Sequence, residues 1–320
     1  MVQHPVDKIA IRRKTCIIHI FNMIAFDGIS ALVSTLAVTA GFVIPALRFI
    51  RSSRASEPVY SVYEPSLCVV AQGAKLVMLG KESYQYDPNS YLVASVHLPI
   101  TGQVVEAVPE TPYLSLQLQF DMNQILEVIQ ASAKAERPKR ESGRGLFINR
   151  MNDTLHDAIL RLVRLLDTPD DIPVLAPYAI REIVYRVLQD EQGAALKESA
   201  LIGSHAQRIA KVIKRMNRDF TLPLRIEELA AEAGMSASSL YYYFKEVTAM
   251  SPIQYQKQLR LQEARRLLYS TAIEAADAAF QVGYESPSHF SREYARMYGH
   301  PPVKDIRRFR DELQTGKAFS

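Results

Sequence analysis

Cysteine is scarce in this chain of 320 residues: only Cys16 and Cys68 occur. Two cysteines exclude a disulfide framework and a four-cysteine zinc site, and they suit a reducing cytoplasm. Histidine is thin where metal chemistry would need it. The strand-patterned stretch 59–120 holds one, His97, whereas a metal-dependent β-barrel oxygenase or isomerase draws several imidazoles and a carboxylate from adjacent strands. No catalytic residue, metal or cofactor is therefore expected. Long apolar runs are also lacking, with one exception. Residues 28–47 carry no charge and precede Arg48, Arg51 and Arg54, yet Ser, Thr, two glycines and Pro45 dilute the run, so a membrane span is disfavoured. A cleaved signal peptide fits no better, because Arg12-Arg13-Lys14 lies far from a small-residue cleavage site.

Length suggests two domains, each with its own core. Charge divides between them. From Ala200 onward there are 18 Lys and Arg against 13 Asp and Glu, a net of +5, while residues 1–199 carry 20 against 21. Residues 1–27 read as a poorly ordered tail and Met23 as a possible start. A partly buried helix and a first strand over 42–49 are expected next. From Val59 to Phe120, segments such as LCVVAQG, KLVMLG, ESYQYD, YLVAS, QVVEAV and YLSLQLQF are short and rich in β-branched and aromatic residues. Gly73, Gly80, Asp87-Pro88-Asn89 and Pro109 punctuate them, which predicts a small barrel or sandwich. Amphipathic helices are predicted over 121–134, from a cap at Asn152 or Asp153, and over 177–189. A mobile loop is expected over 136–145 and a linker over 193–204.

The C-terminal third contains one pattern twice. Residues 273–302 read as two short helices around Gly283, the second capped by Ser286 with Pro287 at its first position. Ile273, Ala276 and Phe280 are expected on the apolar face of the leading helix, and Phe290, Tyr294 and Met297 on that of the second. Fifty residues earlier, Ile226, Leu229, Ala230 and Ala233 precede Gly234, and a helix capped by Ser236 carries Leu240, Phe244 and Val247 inward. A helix of about 17 residues, roughly 25 Å long, joins the units and can set two recognition helices about one DNA turn, roughly 34 Å, apart.

These residues carry a resemblance. Leu229, Ala230, Gly234, Leu240 and Phe244, the runs Leu259-Arg260-Leu261 and Ala264-Arg265-Arg266-Leu267-Leu268, and Gly283-Tyr284, Phe290-Ser291-Arg292, Tyr294, Gly299 and Pro302 are similar to the double helix-turn-helix domain of AraC-type (AraC/XylS) transcription regulators. Upstream, Glu64-Pro65-Ser66-Leu67-Cys68, Ala71-Gln72-Gly73, Lys75, Leu79-Gly80, Tyr86, Tyr91-Leu92, Leu98-Pro99, Val104 and Pro112-Tyr113 resemble the cupin-like amino-terminal domain of one subgroup. The resemblance implies an α+β chain: a cupin-like β-barrel with flanking helices over 28–195, an all-α domain of two helix-turn-helix units joined by a long helix over 200–312, and a tail over 313–320. It also implies a transcription activator that binds double-stranded DNA, meets RNA polymerase, responds to a small-molecule effector and forms a homodimer through helices after the β-domain.

Matched position by position, the resemblance places Ser288, His289, Ser291 and Arg292 of the second unit toward the groove, where Arg292 suits a bidentate grip on guanine. In some relatives this unit contacts mainly backbone. In the first unit Ser238, Tyr241, Tyr242 and Lys245 are expected to face DNA, with Tyr243 completing the core. In the barrel, Cys68 and Val70 are expected on one face of their strand and Leu67 and Val69 on the other. Cys68 then lines the cavity, either as an inert small hydrophobe or as an electrophile sensor activated by Lys75 or His97. Two other functional classes stay open: a cupin-type enzyme with a DNA-binding tail, and a membrane-anchored transcriptional sensor.

Overall fold

The computed structural model describes residues 44–132, 143–271 and 273–314. Most of the run 28–47 and the expected tails lie outside the described residues. Strands β1 (Leu47–Ser52), β2 (Val59–Tyr63), β3 (Ser66–Gln72), β4 (Ala74–Leu79), β5 (Glu82–Tyr86), β6 (Ser90–Ala94), β7 (Leu98–Glu106), β8 (Tyr113–Gln119) and β9 (Leu146–Arg150) build two antiparallel sheets. One runs β1-β8-β3-β6-β9 and the other β2-β7-β4-β5. The first strand begins at Leu47, later than expected. Strand β9 was not foreseen, because LFINR is too short to show a period and is recognisable only by its pairing with β6, Leu146 opposite Ala94.

The five-stranded sheet is covered on both faces. Leu67 and Val69 of β3 join a core with the helices, while Cys68 and Val70 join the core between the sheets, as their alternation predicts. Covering both faces turns β3 into a buried run over residues 66–70. The helices on the outer face are α1 (Met122–Ala131), capped by the Asp121 side chain, α2 (Asp153–Arg164), capped by Asn152, α3 (Ile172–Gln189) and α4 (Gly193–Ala200). Helix α3 starts five residues before the expected Pro177, since Pro173 takes the early position that proline favours. Helix α4 stands where a linker was expected. Leu196 and Ala200, one helical turn apart, are buried in the same core as α1–α3 and hold it there.

The remaining helices are α5 (His205–Arg218), α6 (Ile226–Glu232), α7 (Ala237–Thr248), α8 (Pro252–Ser270), α9 (Ala275–Gln281), α10 (Pro287–Tyr298) and α11 (Pro302–Gln314). They form the two expected units, α6–α7 and α9–α10, on either side of α8. That helix has 19 residues, hence a length of roughly 28 Å, and starts with a capping box between Ser251 and Gln254. Gly234 and Gly283 sit at the two turns with φ of +63° and +88°, and a Cβ at Gly283 would lie 2.1 Å from the Thr221 carbonyl oxygen. Arg260 of α8 donates to the carbonyls of Phe220, Leu222 and Gly283 at 2.7, 2.9 and 2.8 Å, which ties the entry of one unit to the turn of the other.

One helix face differs from expectation. Phe280 is 55% exposed, and α9 buries Ala278 and Ala279 with Val282 instead. Ile273 lies before the helix, whose cap is Glu274, so counting turns from it assigned the wrong face. Ile273 and Ala278 join the same apolar cluster from the positions of a hydrophobic staple. Two cores serve the helical half. Leu261, Ala264, Leu268, Phe290 and Tyr294 make one, around the second unit. The other is continuous with the inter-sheet core: Val77, Leu98 and Ile100 of the sheets and Ile209, Leu240, Phe244 and Tyr255 of the helices form a single cluster. The β-domain and the first unit therefore share a hydrophobic core.

Candidate nucleic-acid interface and effector cavity

Helices α7 and α10 carry the residues singled out for DNA. Each starts with a serine whose hydroxyl accepts a backbone N–H, Ser236 from Ser239 and Ser286 from His289. Each buries the equivalent pair, Leu240 with Phe244 and Phe290 with Tyr294. On the opposite faces Ser238, Tyr241, Tyr242 and Lys245 are exposed, as are Ser288, His289 and Arg292, with Ser291 partly so. Tyr242 is the most open of the three tyrosines at 62%. Tyr243 turns inward and stacks on His205 with ring centroids 3.9 Å apart.

Helix α11 anchors the second unit through a buried carboxylate. Asp305 is 2% exposed and accepts from Arg265 Nε at 3.0 Å, the Tyr269 hydroxyl at 2.9 Å and the Tyr294 hydroxyl at 2.7 Å. Its charge is thus compensated and its oxygens are bonded, which burial of a carboxylate requires.

The β-domain contains a cavity of about 290 Å³, lined by residues that include Arg48, Glu64, Tyr63, Cys68, Lys75 and Tyr86. Cys68 lines it as expected. Burial pushes its thiol up to about 11 despite the opposing charge of Lys75, so the thiol stays protonated near neutrality. His97 does not line this cavity and is not among the groups acting on Cys68. Its imidazole is half-buried, held below the usual range by burial, and its charged neighbours are Glu64 and Lys214. The pairing of His97 with Cys68 is therefore corrected: β7 starts beyond His97, and the side chain lies toward α5. Among the described residues no group of three or more His, Cys, Asp or Glu is placed to hold a metal, and no helix is long and apolar enough to cross a membrane.

Comparison with known proteins decides the family. Residues 43–195 match the model of the AraC-type transcriptional regulator N-terminus, and residues 229–308 match a helix-turn-helix domain. This chain belongs to the AraC-type transcriptional regulators. It is 31% identical over 126 residues to the HTH-type transcriptional regulator GbdR of Pseudomonas aeruginosa, covering 39% of this chain and 32% of GbdR. It is 26% identical over 177 residues to the HTH-type transcriptional activator RhaS of Klebsiella pneumoniae, covering 55% of this chain and 63% of RhaS. The chain thus spans a third of the one and under two thirds of the other. The fold is shared with ToxT of Vibrio cholerae, crystallised with an unsaturated fatty acid bound. There the TM-score is 0.50 at 12% identity, over 81% of this chain and 94% of that one.

In this AraC-type regulator the β-domain grips both candidate recognition helices at their C-terminal ends. The last carbonyls of a helix lack intrahelical partners and attract positive charge. Arg144, just before β9, donates from Nη1 to the carbonyls of Lys245, at 2.7 Å, and Glu246 at the end of α7, while its Nε donates to Glu82 at 2.8 Å. Gly145 N donates to the Val247 carbonyl at 2.8 Å. Tyr60 of β2 donates to the Met297 carbonyl at the end of α10 at 3.0 Å, packs edge-on against Tyr298 and lies under Arg265. Tyr255 of α8 donates to the His97 carbonyl at 2.9 Å. Sequence reasoning missed Arg144, Glu82 and Tyr60. The Arg144-Gly145 pair fell in a stretch read as loop, and nothing local marks any of the three.

Proposed function

We propose that the chain binds double-stranded DNA by placing α7 and α10 in successive major grooves and that the β-domain, on taking up a small-molecule effector, alters how it holds them. The observation that carries this is the doubled unit: two capped helices with equivalent buried pairs, each presenting short polar, tyrosine or basic residues outward. Ser238, Tyr241, Tyr242 and Lys245 serve the first groove. Ser288, His289, Ser291 and Arg292 serve the second, and the net charge of +5 from Ala200 onward favours phosphate contact.

The same reading has the protein acting by binding, without a catalytic step, in the cytoplasm, as a transcription activator that meets RNA polymerase. RhaS, named as an activator, supports that direction. ToxT, whose fold is shared, was crystallised with a fatty acid, which supports a small-molecule effector. Strand β2 is the proposed relay, since Ser61, Val62 and Tyr63 border the cavity and Tyr60 holds α10. Two copies pair through α3, where Val174, Leu175, Tyr178 and Tyr185 are exposed along one helix and make an apolar stripe suited to a second copy.

The test begins by selecting the preferred sequence from random DNA with the full-length protein. Arg292→Ala should then weaken that site by about 1–3 kcal/mol and relax one base position, with random DNA little changed. Equal losses on both would reduce Arg292 to a phosphate contact. An unchanged affinity for Tyr242→Ala would remove the assignment of the first unit.

A further inference from the structure

The cavity carries a cation without a counter-charge. Lys75 extends from β4 along β7, where Gly102 leaves it room: a Cβ at Gly102 would lie 3.2 Å from Lys75 Cε. Lys75 Nζ donates to the Tyr63 hydroxyl at 2.9 Å and sits 5.5 Å from the centre of that ring. Among the described residues, the ionisable group that acts on it by charge is the Cys68 thiol, which is neutral at physiological pH. Burial lowers the lysine's own proton affinity, the ordinary response of an ammonium held away from water without an anion. The other charged lining residues, Arg48 and Glu64, are exposed at the rim and of opposite sign. One positive charge is therefore left over inside.

We propose that this cavity binds a small organic carboxylate, its anionic end at the Lys75 ammonium and the Tyr63 hydroxyl and its apolar body against Cys68 and Tyr86. A carboxylate there gains a charge-assisted bond in a site of low polarity, and it restores the charged state that burial penalises. A volume of about 290 Å³ lies at the lower end of the range for ligand pockets, roughly 300–1,000 Å³. That size selects a compact acid, aromatic or short-chain, over a long-chain one. Only the regulatory consequence rests on the sensing role proposed above; the binding itself does not.

The test is calorimetric titration of the full-length protein with benzoate, phenylacetate and hexanoate beside benzamide, phenylacetamide and hexanamide. At least one acid should bind, with its amide weaker by about tenfold or more. Lys75→Met should abolish that preference, and Gly102→Ala, which crowds the lysine stem without removing it, should reduce it. Thermal melts confirm that each variant folds, and if Lys75→Met does not, Lys75→Gln and Gly102→Ala carry the same comparison. The proposal is overturned if no acid binds at about 10 mM, a concentration that would reveal even millimolar affinity, if amides bind as well as acids, or if the preference survives in the Lys75 variants. The selected DNA separates the two readings. Lys75-dependent acid binding that leaves DNA affinity unchanged keeps the site and removes the sensing role. A DNA response to acids and amides alike keeps sensing and removes the carboxylate.

Discussion

Arg144→Ala isolates the contact between the β-domain and the first recognition helix. The guanidinium joins three groups: two carbonyls at the end of α7 and the Glu82 carboxylate. Hydrogen bonds to a charged group contribute about 1.5–3 kcal/mol when well buried. Here the Arg144 and Glu82 side chains are 30% and 39% exposed, so solvent screening reduces the ion-pair part to about 0–1 kcal/mol. That pair lies within the β-domain and only orients the guanidinium, so docking of α7 gains the helix-end part, about 0.3–1 kcal/mol. If the docked state restrains α7 from fitting its groove, removing the contact raises the fraction of competent protein, and apparent affinity follows that fraction. Arg144→Ala without effector should tighten binding to the selected DNA by about 2- to 5-fold, measured by fluorescence anisotropy at fixed salt. Glu82→Gln, which leaves the carbonyl bonds in place, should give a smaller gain. Unchanged or weaker DNA binding by Arg144→Ala would refute the restraint, because the substitution leaves every outward residue of α7 intact.

Asp305→Ala should lower stability in urea by about 3–5 kcal/mol, because it strands Arg265 and two tyrosine hydroxyls in a buried setting; a loss below about 1 kcal/mol would show the network to be solvated. Lys75 holds its proton less tightly in the folded chain than at its ordinary value of 10.5, so the unfolded chain binds more protons below 10.5 and this residue's contribution to stability rises with pH toward that value. Lys75→Met should therefore melt higher than the parent near pH 7, with the advantage shrinking by pH 10; a constant difference would remove the charge argument. Replacing Val174 and Tyr178 of α3 together with glutamate should convert a dimer to monomers in sedimentation while leaving the fold intact, and a parent protein that is already monomeric would sink the proposed pairing.

Local periodicity was enough to read the parts of this protein that repeat or alternate. Leu240 and Phe290, fifty residues apart, mark equivalent buried positions because a helix with one wet face must repeat its apolar residues every three or four places. The outward set around Tyr242 and the outward Ser288, Ser291 and Arg292 follow from the same count, whereas His289 is added by the family resemblance; the split of Leu67 from Cys68 follows from the pleat of β3. Where an element begins was less legible: Phe280 was assigned inward from a count begun at Ile273, which lies outside α9, and 193–204 read as a linker because eight residues of modest amphipathicity become a helix only against a core that receives Leu196. Strand β9 exists because β6 offers it a ladder. The properties proposed to matter for control depend on what lies across space. Arg144 caps a helix a hundred residues away, Tyr60 meets the end of α10, and Lys75 is left without an anion because Gly102 admits its stem and burial keeps the Cys68 thiol neutral. Chain-local patterns report which side of an element is wet; only packing decides which charge meets a partner, because electrostatic and cap interactions act over distance and pay no heed to sequence separation.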